Sequence, residues 1–200
     1  YSQHGFAIYP LAIKATGAIP VKSKAKNWGH NLALMSDLID DKTKVVFIAS
    51  PNNPTGTAKT LLEIKDFLNN LPDDILVFLD QAYYEYIEGS EFDIPFSLID
   101  DHPNLVISRS FSKAHGLAAL RLGFCVSSLE LSDYLNRVRQ PFNANSLALD
   151  LGKVALFDQE HISKSVKINS SGMDRVKKAF NNLDYDFIES WGNFISFDAK

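Results

Sequence analysis

One lysine in this chain stands where an amine could do chemistry. Lys113 lies in the sequence Ser-Phe-Ser-Lys-Ala-His-Gly-Leu (residues 110–117), after the apolar run 105–107, and Arg121 follows it eight positions later. A lysine amine can form a Schiff base with a carbonyl group. The hydroxyl groups of Ser110 and Ser112 and the fixed charge of Arg121 can hold a phosphate beside it. The pattern predicts a lysine–carbonyl site next to a phosphate clamp, which is the combination that pyridoxal phosphate requires.

Two further polar motifs follow apolar runs upstream of this lysine. The sequence Ser-Pro-Asn-Asn-Pro-Thr-Gly (residues 50–56) comes directly after Val-Val-Phe-Ile-Ala, and Asp-Gln-Ala-Tyr (residues 80–83) comes directly after Ile-Leu-Val-Phe-Leu. Open α/β sheets bind their ligands at the carboxyl ends of the strands. Three polar clusters at three such strand ends therefore predict one shared pocket.

Apolar runs rich in Val, Ile and Phe alternate with helical patterns along the chain. Continuous apolar strands separated by helices predict an α/β fold with a three-layer, mostly parallel sheet that is covered on both faces. In the helix that begins at Thr60, Glu63 follows at the spacing of a capping box. The predicted helices are 5–14, 32–39, 60–69, 129–139 and 146–181, the last with a join near residue 159. The predicted strands are 19–23, 44–49, 75–79, 105–109 and 122–126, followed by 184–190 and 193–197 in a second, smaller unit.

Composition favours a globular protein with small-molecule partners. Apolar residues make up 46% of the 200 residues, charged residues 22%, and the net charge is −4. The basic residues are scattered and no basic patch is interleaved with aromatic residues, so we expect no nucleic-acid partner. The apolar runs are far shorter than the roughly 20 residues that cross a membrane. No secretory signal pattern is visible, and we expect no membrane association.

Cysteine and histidine usage predicts neither a disulfide framework nor a metal site. Cys125 is the only cysteine, and its setting in Leu-Gly-Phe-Cys-Val (residues 122–126) predicts a small buried apolar side chain. The five histidines show no ligand-like spacing such as i, i+4. We therefore expect no metal.

The motifs taken together resemble a known family. The order of the motifs at 50–56, 80–83 and 110–117, followed by Arg-Leu-Gly (residues 121–123), resembles the fold-type I pyridoxal-phosphate aminotransferases. Within them, the chain looks most like the histidinol-phosphate aminotransferases. Segments 1–21, 139–145 and 192–195 also look like that subgroup. The resemblance implies a large cofactor-binding domain over residues 1–143, and an inter-domain helix with the start of a small α+β domain over 144–200. It also implies a homodimer in the cytoplasm.

The resemblance assigns the central roles to four residues. Lys113 would form the internal aldimine with pyridoxal phosphate and then act as general acid and base at the substrate α-carbon. Asp80 would keep the pyridine nitrogen protonated, so that the ring withdraws electrons. Tyr83 and Asn53 would hydrogen-bond the phenolic oxygen of the cofactor. Each position alone has a plainer reading: a surface turn for Lys113, a strand-end cap for Asp80, a core aromatic for Tyr83, and a turn former for Asn53.

Further cofactor contacts follow from the same resemblance. Phe6 would stack on the ring, although a core position suits it nearly as well. Ser110 and Arg121, with Ser112 as a further candidate, would grip the phosphate. The resemblance also implies a cis peptide bond between residues 53 and 54, otherwise a minority state.

The chain departs from the family pattern in three respects. Members are much longer, so we expect an internal piece that lacks the phosphate-binding Gly-rich turn and the substrate-binding arginine of the C-terminal region. Arg137 and Arg139 do not match the motif of that arginine. Gln81 stands where the family usually has glutamate. That position lies behind the site, so the change alters hydrogen bonding without ending catalysis.

Several functions remain open at this point. The leading hypothesis is transamination between histidinol phosphate and 2-oxoglutarate. An aromatic amino-acid aminotransferase or a phosphothreonine-type decarboxylase would keep the cofactor and change the substrate. A truncated, non-catalytic α/β module is the alternative from another class. An unrelated nucleotide binder lacks support, because no strand is followed by G-x-G-x-x-G or a Walker-type loop.

Overall fold

A four-stranded sheet organises the computed structural model, which describes all 200 residues. The strands lie in the order β1-β2-β3-β4. The pairs β1–β2 and β2–β3 are parallel, whereas β4 runs antiparallel to β3. The α/β class and the mostly parallel sheet are therefore confirmed. The strands are β1 (Val45–Ala49), β2 (Leu76–Asp80), β3 (Leu105–Ser110) and β4 (Gly123–Val126).

Seven helices accompany the sheet. The helix α3 has the predicted capping box, in which Thr60 and Glu63 bond each other's backbone N–H groups. The junction between the last two helices lies at Asp158, next to the predicted position. The short helix α4 was not predicted. The helices are α1 (Ile8–Ala15), α2 (Leu32–Asp37), α3 (Leu61–Asn69), α4 (Leu98–Asp101), α5 (Leu129–Val138), α6 (Ser146–Phe157) and α7 (Gln159–Asn182).

The main core lies on one face of the sheet. The register aligns Ile48 with Leu79 and Leu79 with Ile107, and all three are fully buried. Side chains of α2, α3 and α4 cover this row, among them Met35 and Ile64. Because side chains alternate between the two faces of a strand, the next row turns the other way. That row ends at the carboxyl edge with Ala49 aligned to Asp80, so Asp80 lies on the face away from the main core.

Three predicted strands are wrong or incomplete. Segment 19–23 forms one parallel bridge, Ser2 to Ser23, because it has only the first residues of the chain as a partner. Ile19 is 86% exposed, so no apolar face drives it into a sheet. Segments 184–190 and 193–197 meet in a single antiparallel bridge, Phe187 to Phe197, and their aromatic side chains pack around Phe180 of α7 rather than on a sheet.

The prediction of a buried strand at 122–126 is also corrected. The burial of β4 alternates, with Phe124 and Val126 partly buried and Gly123 and Cys125 exposed. β4 is one of the two edge strands, and the face that carries Cys125 is exposed. The expectation of a buried Cys125 is therefore wrong.

None of the helices has the length and the apolar composition that a membrane span requires.

Candidate functional site

One cavity of about 190 Å³ lies at the carboxyl edge of the sheet. It is bounded by α1, by the residues that end β1 and β2, and by the turn that follows β3. Five of the eight sequence-predicted site residues line it, namely Phe6, Asn53, Asp80, Tyr83 and Lys113. The other residues that line it are Tyr9, Ala49, Pro51 and Ala82.

The carboxylate of Asp80 is held by two donors. Its Oδ1 accepts from the backbone N–H of Ala82 at 3.0 Å, which is the strand-end cap that the sequence also allowed. Its Oδ2 accepts from the hydroxyl of Tyr9 at 2.8 Å. Burial and the neighbouring Asp80 carboxylate raise the pKa of Tyr9 well above its usual range, so Tyr9 keeps the proton that it donates. The carboxylate is therefore fixed in direction while it borders the cavity.

Tyr9 is the site residue that sequence reasoning missed. Its ring stacks on Phe47 at 5.0 Å and its side chain is buried. The contact with Asp80 spans 71 residues, so no local motif announces it. One signal was available, because Phe6 and Tyr9 are three positions apart, the spacing that places two side chains on the same helix face. In the predicted helix 5–14 a site role for Phe6 could have been extended to Tyr9, although Phe6 itself lies just before the observed α1.

Tyr83, Asn53 and Lys113 meet on the other side of the cavity. The Nδ2 of Asn53 donates to the Tyr83 hydroxyl at 2.9 Å. The Nζ of Lys113 lies 5.0 Å from the centroid of the Tyr83 ring, within range of a cation–π interaction. Tyr83 is thus both a buried aromatic and a hydrogen-bonding residue. Its phenol lines the cavity, whereas its ring packs edge-on against Phe194 at 5.1 Å.

The turn after β1 is braced by its own side chains. Asn52 donates from Nδ2 to the carbonyl of His4 at 2.9 Å and to the Thr55 hydroxyl at 2.8 Å. The backbone N–H of Gly56 donates to the Asn52 carbonyl at 2.7 Å. Gly56 has φ +74°, and a Cβ there would lie 2.1 Å from the Ser190 hydroxyl, so only glycine fits. The bonds Ser50–Pro51 and Asn53–Pro54 are both cis, the second as the resemblance implied.

A buried histidine supports the end of β1 from behind. The Nε2 of His30 lies 3.0 Å from the backbone nitrogen of Ala49 and 2.9 Å from its carbonyl oxygen. Burial lowers the pKa of His30 to about 4, an effect that the bond to Ala49 only partly opposes. His30 is therefore neutral at physiological pH and serves as a polar support for the strand end.

The predicted phosphate-binding residues do not line the cavity. The Ser110 hydroxyl accepts from the backbone N–H of Ser112 at 3.0 Å and so shapes the turn that carries Lys113. The guanidinium of Arg121 is exposed and donates to the carbonyl of Ala118 at 2.7 Å. Arg121 itself has φ +54°, in the left-handed region. Phe6 borders the cavity with 41% of its surface exposed.

Behind Asp80, Gln81 meets an arginine. Gln81 is fully buried and its Oε1 accepts from Nε of Arg109 at 3.2 Å, whereas its Nε2 has no partner. The guanidinium of Arg109 lies over the rings of Tyr84 and Phe96, at 3.5 and 4.3 Å from their centroids. A glutamate at position 81 would form an ion pair here, so the glutamine replaces a charge–charge contact by a neutral hydrogen bond.

The C-terminal part of the chain packs against the segments that carry Tyr83 and Lys113. Ala114, next to Lys113, is 1% exposed and packs with Tyr83 and Tyr86. Ile162 and Val166 of α7 cover this small cluster. The backbone N–H of Trp191 donates to the carbonyl of Gly56 at 2.8 Å. The loop with the lysine is thus held between the sheet and α7.

The donor set of the cavity fits pyridoxal phosphate at its ring end. An amine, a carboxylate and an amide-bonded phenol border one space, which matches the aldehyde, ring nitrogen and phenolic oxygen of that cofactor. The phosphate end is matched less well, because the side chain of Arg121 turns to Ala118. No group of three or more histidine, cysteine or acidic side chains lies close enough to hold a metal ion.

Comparisons with known proteins agree on one family. A family model described as aminotransferase class I and II matches residues 1–199. Histidinol-phosphate aminotransferase 2 of Pseudomonas fluorescens is 48% identical over 198 residues, which cover 99% of this chain and 54% of that protein. The chain thus spans about half the length of the curated relatives it matches.

Solved structures show the same fold. Histidinol-phosphate aminotransferase from Sinorhizobium meliloti, in complex with pyridoxal-5'-phosphate, superposes with a TM-score of 0.92 at 24% identity. The match covers 100% of this chain and 55% of that one. L-threonine-O-3-phosphate decarboxylase from Porphyromonas gingivalis has a TM-score of 0.78 at 23% identity, over 96% of this chain and 56% of that one.

Proposed function

The chain belongs to the class I and II aminotransferases, and we propose that it carries the cofactor-binding part of a histidinol-phosphate aminotransferase. The reaction would be pyridoxal-phosphate-dependent transamination between histidinol phosphate and 2-oxoglutarate, in histidine biosynthesis. Relatives of that name are 43–49% identical over nearly all of this chain. The single observation that carries the proposal is the cavity shared by Lys113, Asp80, Asn53 and Tyr83.

Each residue at the ring end has a role that its contacts support. When bound, pyridoxal phosphate supplies an electron-withdrawing ring that stabilises negative charge on the substrate α-carbon. Lys113 would hold the cofactor through its amine and move the proton at that carbon. Asp80, oriented by Tyr9, would keep the ring nitrogen protonated. Tyr83, held by Asn53, would donate to the phenolic oxygen.

The phosphate end and the ring face complete the proposed site. Ser110, Ser112 and Arg121 would bind the phosphate, which requires the Arg121 guanidinium to exchange its bond with the Ala118 carbonyl for one with the phosphate. Arginine suits this exchange, since its planar fork binds phosphate oxygens in pairs. Phe6 would pack on the ring from the exposed side of the cavity.

The organisation of the intact protein is part of the same proposal. Residues 1–143 would belong to the large cofactor-binding domain, and 144–200 would contribute the inter-domain helix and the start of the small domain. A homodimer in the cytoplasm would follow from the family pattern, in which sites are completed across subunits. Light scattering on the intact protein tests the dimer, and a monomer at working concentration would contradict it.

Cofactor binding by the purified protein is the first test. Incubation with pyridoxal phosphate is expected to turn the protein yellow, and Lys113→Ala is expected to abolish the colour. Lys153→Ala is the matched control, because Lys153 is an exposed lysine of α6 that pairs only with Asp150. A colourless wild-type protein would favour the non-catalytic module.

The amino donor is tested by turnover. Histidinol phosphate and phenylalanine are compared as donors in the intact protein, with 2-oxoglutarate as acceptor. The proposal expects a higher kcat/KM for histidinol phosphate. Preference for phenylalanine would indicate an aromatic aminotransferase, and release of carbon dioxide from O-phosphothreonine would indicate a decarboxylase.

A further inference from the structure

A buried acid–base pair lies beside the cavity but outside it. The Oε1 of Glu85 is 3.6 Å from Nε2 of His115, and the two side chains are only 11% and 8% exposed. Neither residue lines the cavity, and the proposed chemistry uses neither. The remaining polar atoms of the pair, Oε2 of Glu85 and Nδ1 of His115, are buried without a hydrogen-bond partner. The contact between the two side chains is therefore an electrostatic one at 3.6 Å, made by the one oxygen of Glu85 and the one ring nitrogen of His115 that face each other.

The pair connects the two segments that carry Tyr83 and Lys113. Glu85 is two residues after Tyr83, in the 3₁₀ turn Tyr84–Tyr86, and His115 is two residues after Lys113. The backbone of the lysine turn is tight, since the N–H of Gly116 donates to the Lys113 carbonyl at 2.9 Å. A shift of His115 must therefore carry Lys113 with it.

Packing around the pair reinforces the connection. The His115 ring also contacts the ring of Phe111, with 4.8 Å between the centroids, so the imidazole is held by an aromatic neighbour as well as by Glu85. Between the two segments, the small side chain of Ala114 is buried against Tyr83. The only polar tie across this apolar contact is the one between Glu85 and His115.

The surroundings of the pair penalise a charge on either group. Burial raises the pKa of Glu85, which the positive charge of Arg109 on β3 partly offsets. Burial lowers the pKa of His115, and His161 on α7 lowers it further, whereas the carbonyl of Ala155 on α6 raises it. Burial makes a lone charge on either group costly, and the opposite group at 3.6 Å can offset part of that cost.

We infer that Glu85 and His115 are positioning residues, whose contact ties the lysine turn to the Tyr83 turn and so holds the Lys113 amine over the Tyr83 ring. The role rests on the proposed function only in naming Lys113 and Tyr83 as site residues. The contact itself exists without cofactor. The tie fixes one coordinate of the site, the 5.0 Å separation between the Lys113 amine and the Tyr83 ring.

The test measures the exposure of the Lys113 amine in the intact, cofactor-free protein. Brief labelling with acetic anhydride, read by mass spectrometry, gives the acetylation of Lys113 relative to Lys153, whose side chain is 76% exposed. His115→Phe keeps an aromatic ring against Phe111 and removes the tie. It is expected to raise the relative labelling of Lys113 about threefold, because an amine released from the Tyr83 ring reacts more readily.

Two companion variants separate positioning from general destabilisation. Glu85→Gln keeps the size of the side chain and removes its charge, and it is expected to raise the labelling in the same direction. In the double variant that combines this change with His115→Phe, the relative labelling of Lys113 is expected to be only slightly higher than in the more strongly affected single variant, since both changes break the same contact. Ile64→Val, a conservative change in the main core, lowers stability by removing a buried methylene and is expected to leave the Lys113 ratio unchanged.

Several results would overturn the inference. Unchanged labelling in folded His115→Phe and Glu85→Gln would remove the positioning role, and so would an equal rise in Ile64→Val. Additive effects of the two changes would show that they act separately. If His115→Phe does not fold, Glu85→Gln decides alone. Failure of the proposed function would look different, because the wild-type protein would then stay colourless with pyridoxal phosphate while the labelling pattern persists.

Discussion

The carboxyl edge of the sheet and the chain after residue 143 are held by different kinds of contact. At the edge, three parallel strands in register bury side chains such as Leu79 and Ile107 completely. After residue 143, α7 has no fully buried residue, and the last segments pair through one bridge. The first region is rigid because backbone ladders and core packing act together. The second region, which we call the cover, is attached to the first by apolar contacts and by a few hydrogen bonds, such as the one from Trp191 N–H to the Gly56 carbonyl.

The difference explains where the site chemistry sits. All five predicted residues that line the cavity come from the first 143 residues, on strand ends or on segments docked against them. The cover contributes Ile162, Val166 and Phe194, which pack behind Tyr83 and Ala114 without reaching the cavity. The predicted site residues that line the cavity thus belong to the first region, and residues of the cover pack against Tyr83 and Ala114 outside the cavity.

The stability of the two regions gives the largest expected contrast. Ile107 is fully buried in β3, whereas Ile168 on α7 is 63% exposed. Ile107→Ala is expected to lower the free energy of unfolding by about 2–5 kcal/mol, through lost burial and the cavity left behind. Ile168→Ala, the same chemical change, is expected to cost less than about 0.5 kcal/mol. Urea unfolding of both variants measures this, and equal costs would contradict the division into core and cover.

Acidification is expected to weaken the sheet edge through His30. Its pKa is lowered by burial from 6.5 to about 4, so between these values the unfolded chain binds a proton that the folded chain does not. Stability is therefore complete above pH 6.5 and falls as the pH drops towards 4, by on the order of 3 kcal/mol. Thermal or urea unfolding across this range measures the slope. His30→Gln is expected to flatten it, and an unaltered slope in that variant would assign the acid sensitivity elsewhere.

Asp80 and Gln81 are adjacent at the end of β2, but only Asp80 lines the cavity, so their substitutions are expected to affect activity differently. In the intact, active protein, Asp80→Ala is expected to lower kcat by on the order of a hundredfold, because a fixed charge at the reacting centre is lost. Asp80→Asn, which can still accept from Tyr9, is expected to lose nearly as much. Gln81→Ala is expected to cost far less, since Gln81 does not line the cavity and its side chain hydrogen-bonds Arg109. Steady-state kinetics with the amino donor measure all three, and equal, small effects would disprove the role given to Asp80.

Helix caps provide the smallest contrast. Thr60 and Glu63 form a reciprocal capping box on α3, beside the core, whereas Asp158 alone caps α7 through the N–H of His161. Thr60→Ala is expected to cost about 1 kcal/mol of unfolding free energy. Asp158→Ala is expected to shift global unfolding less, and to show mainly as faster hydrogen exchange in the first turn of α7. A larger global loss from Asp158→Ala would mean that the cover is part of the cooperative core.

The local sequence pattern predicts the structure correctly where strands are buried and where a helix begins with a capping motif. The runs before Ala49 and Asp80 are continuously apolar, the strand that ends at Ser110 opens with the apolar run 105–107, and the three predicted strands match the observed ones to within one residue at each end. The capping box at Thr60 is likewise readable from four residues. In these places sequence-local physics and tertiary structure agree.

The sequence pattern predicts wrongly where the structure of a segment depends on residues that are distant in the sequence. Segment 19–23 and the segments after residue 183 are apolar enough for strands, but a strand needs a neighbouring ladder, and each has only one bridge. Cys125 is exposed whereas its neighbours Phe124 and Val126 are partly buried, and the run Leu-Gly-Phe-Cys-Val does not reveal which face of β4 is covered. Tyr9 reaches Asp80 only because α1 docks on one particular face of the sheet. The roles of all eight predicted site residues stay predictions, and Ser110, Ser112 and Arg121 differ from the other five in not lining the cavity.

The most direct measurement is a crystal structure of the intact protein with pyridoxal phosphate. We expect electron density that is continuous from Nζ of Lys113 to the cofactor, with the ring nitrogen about 3 Å from a carboxylate oxygen of Asp80. Cofactor density at another lysine, or a ring whose nitrogen faces away from Asp80, would contradict it.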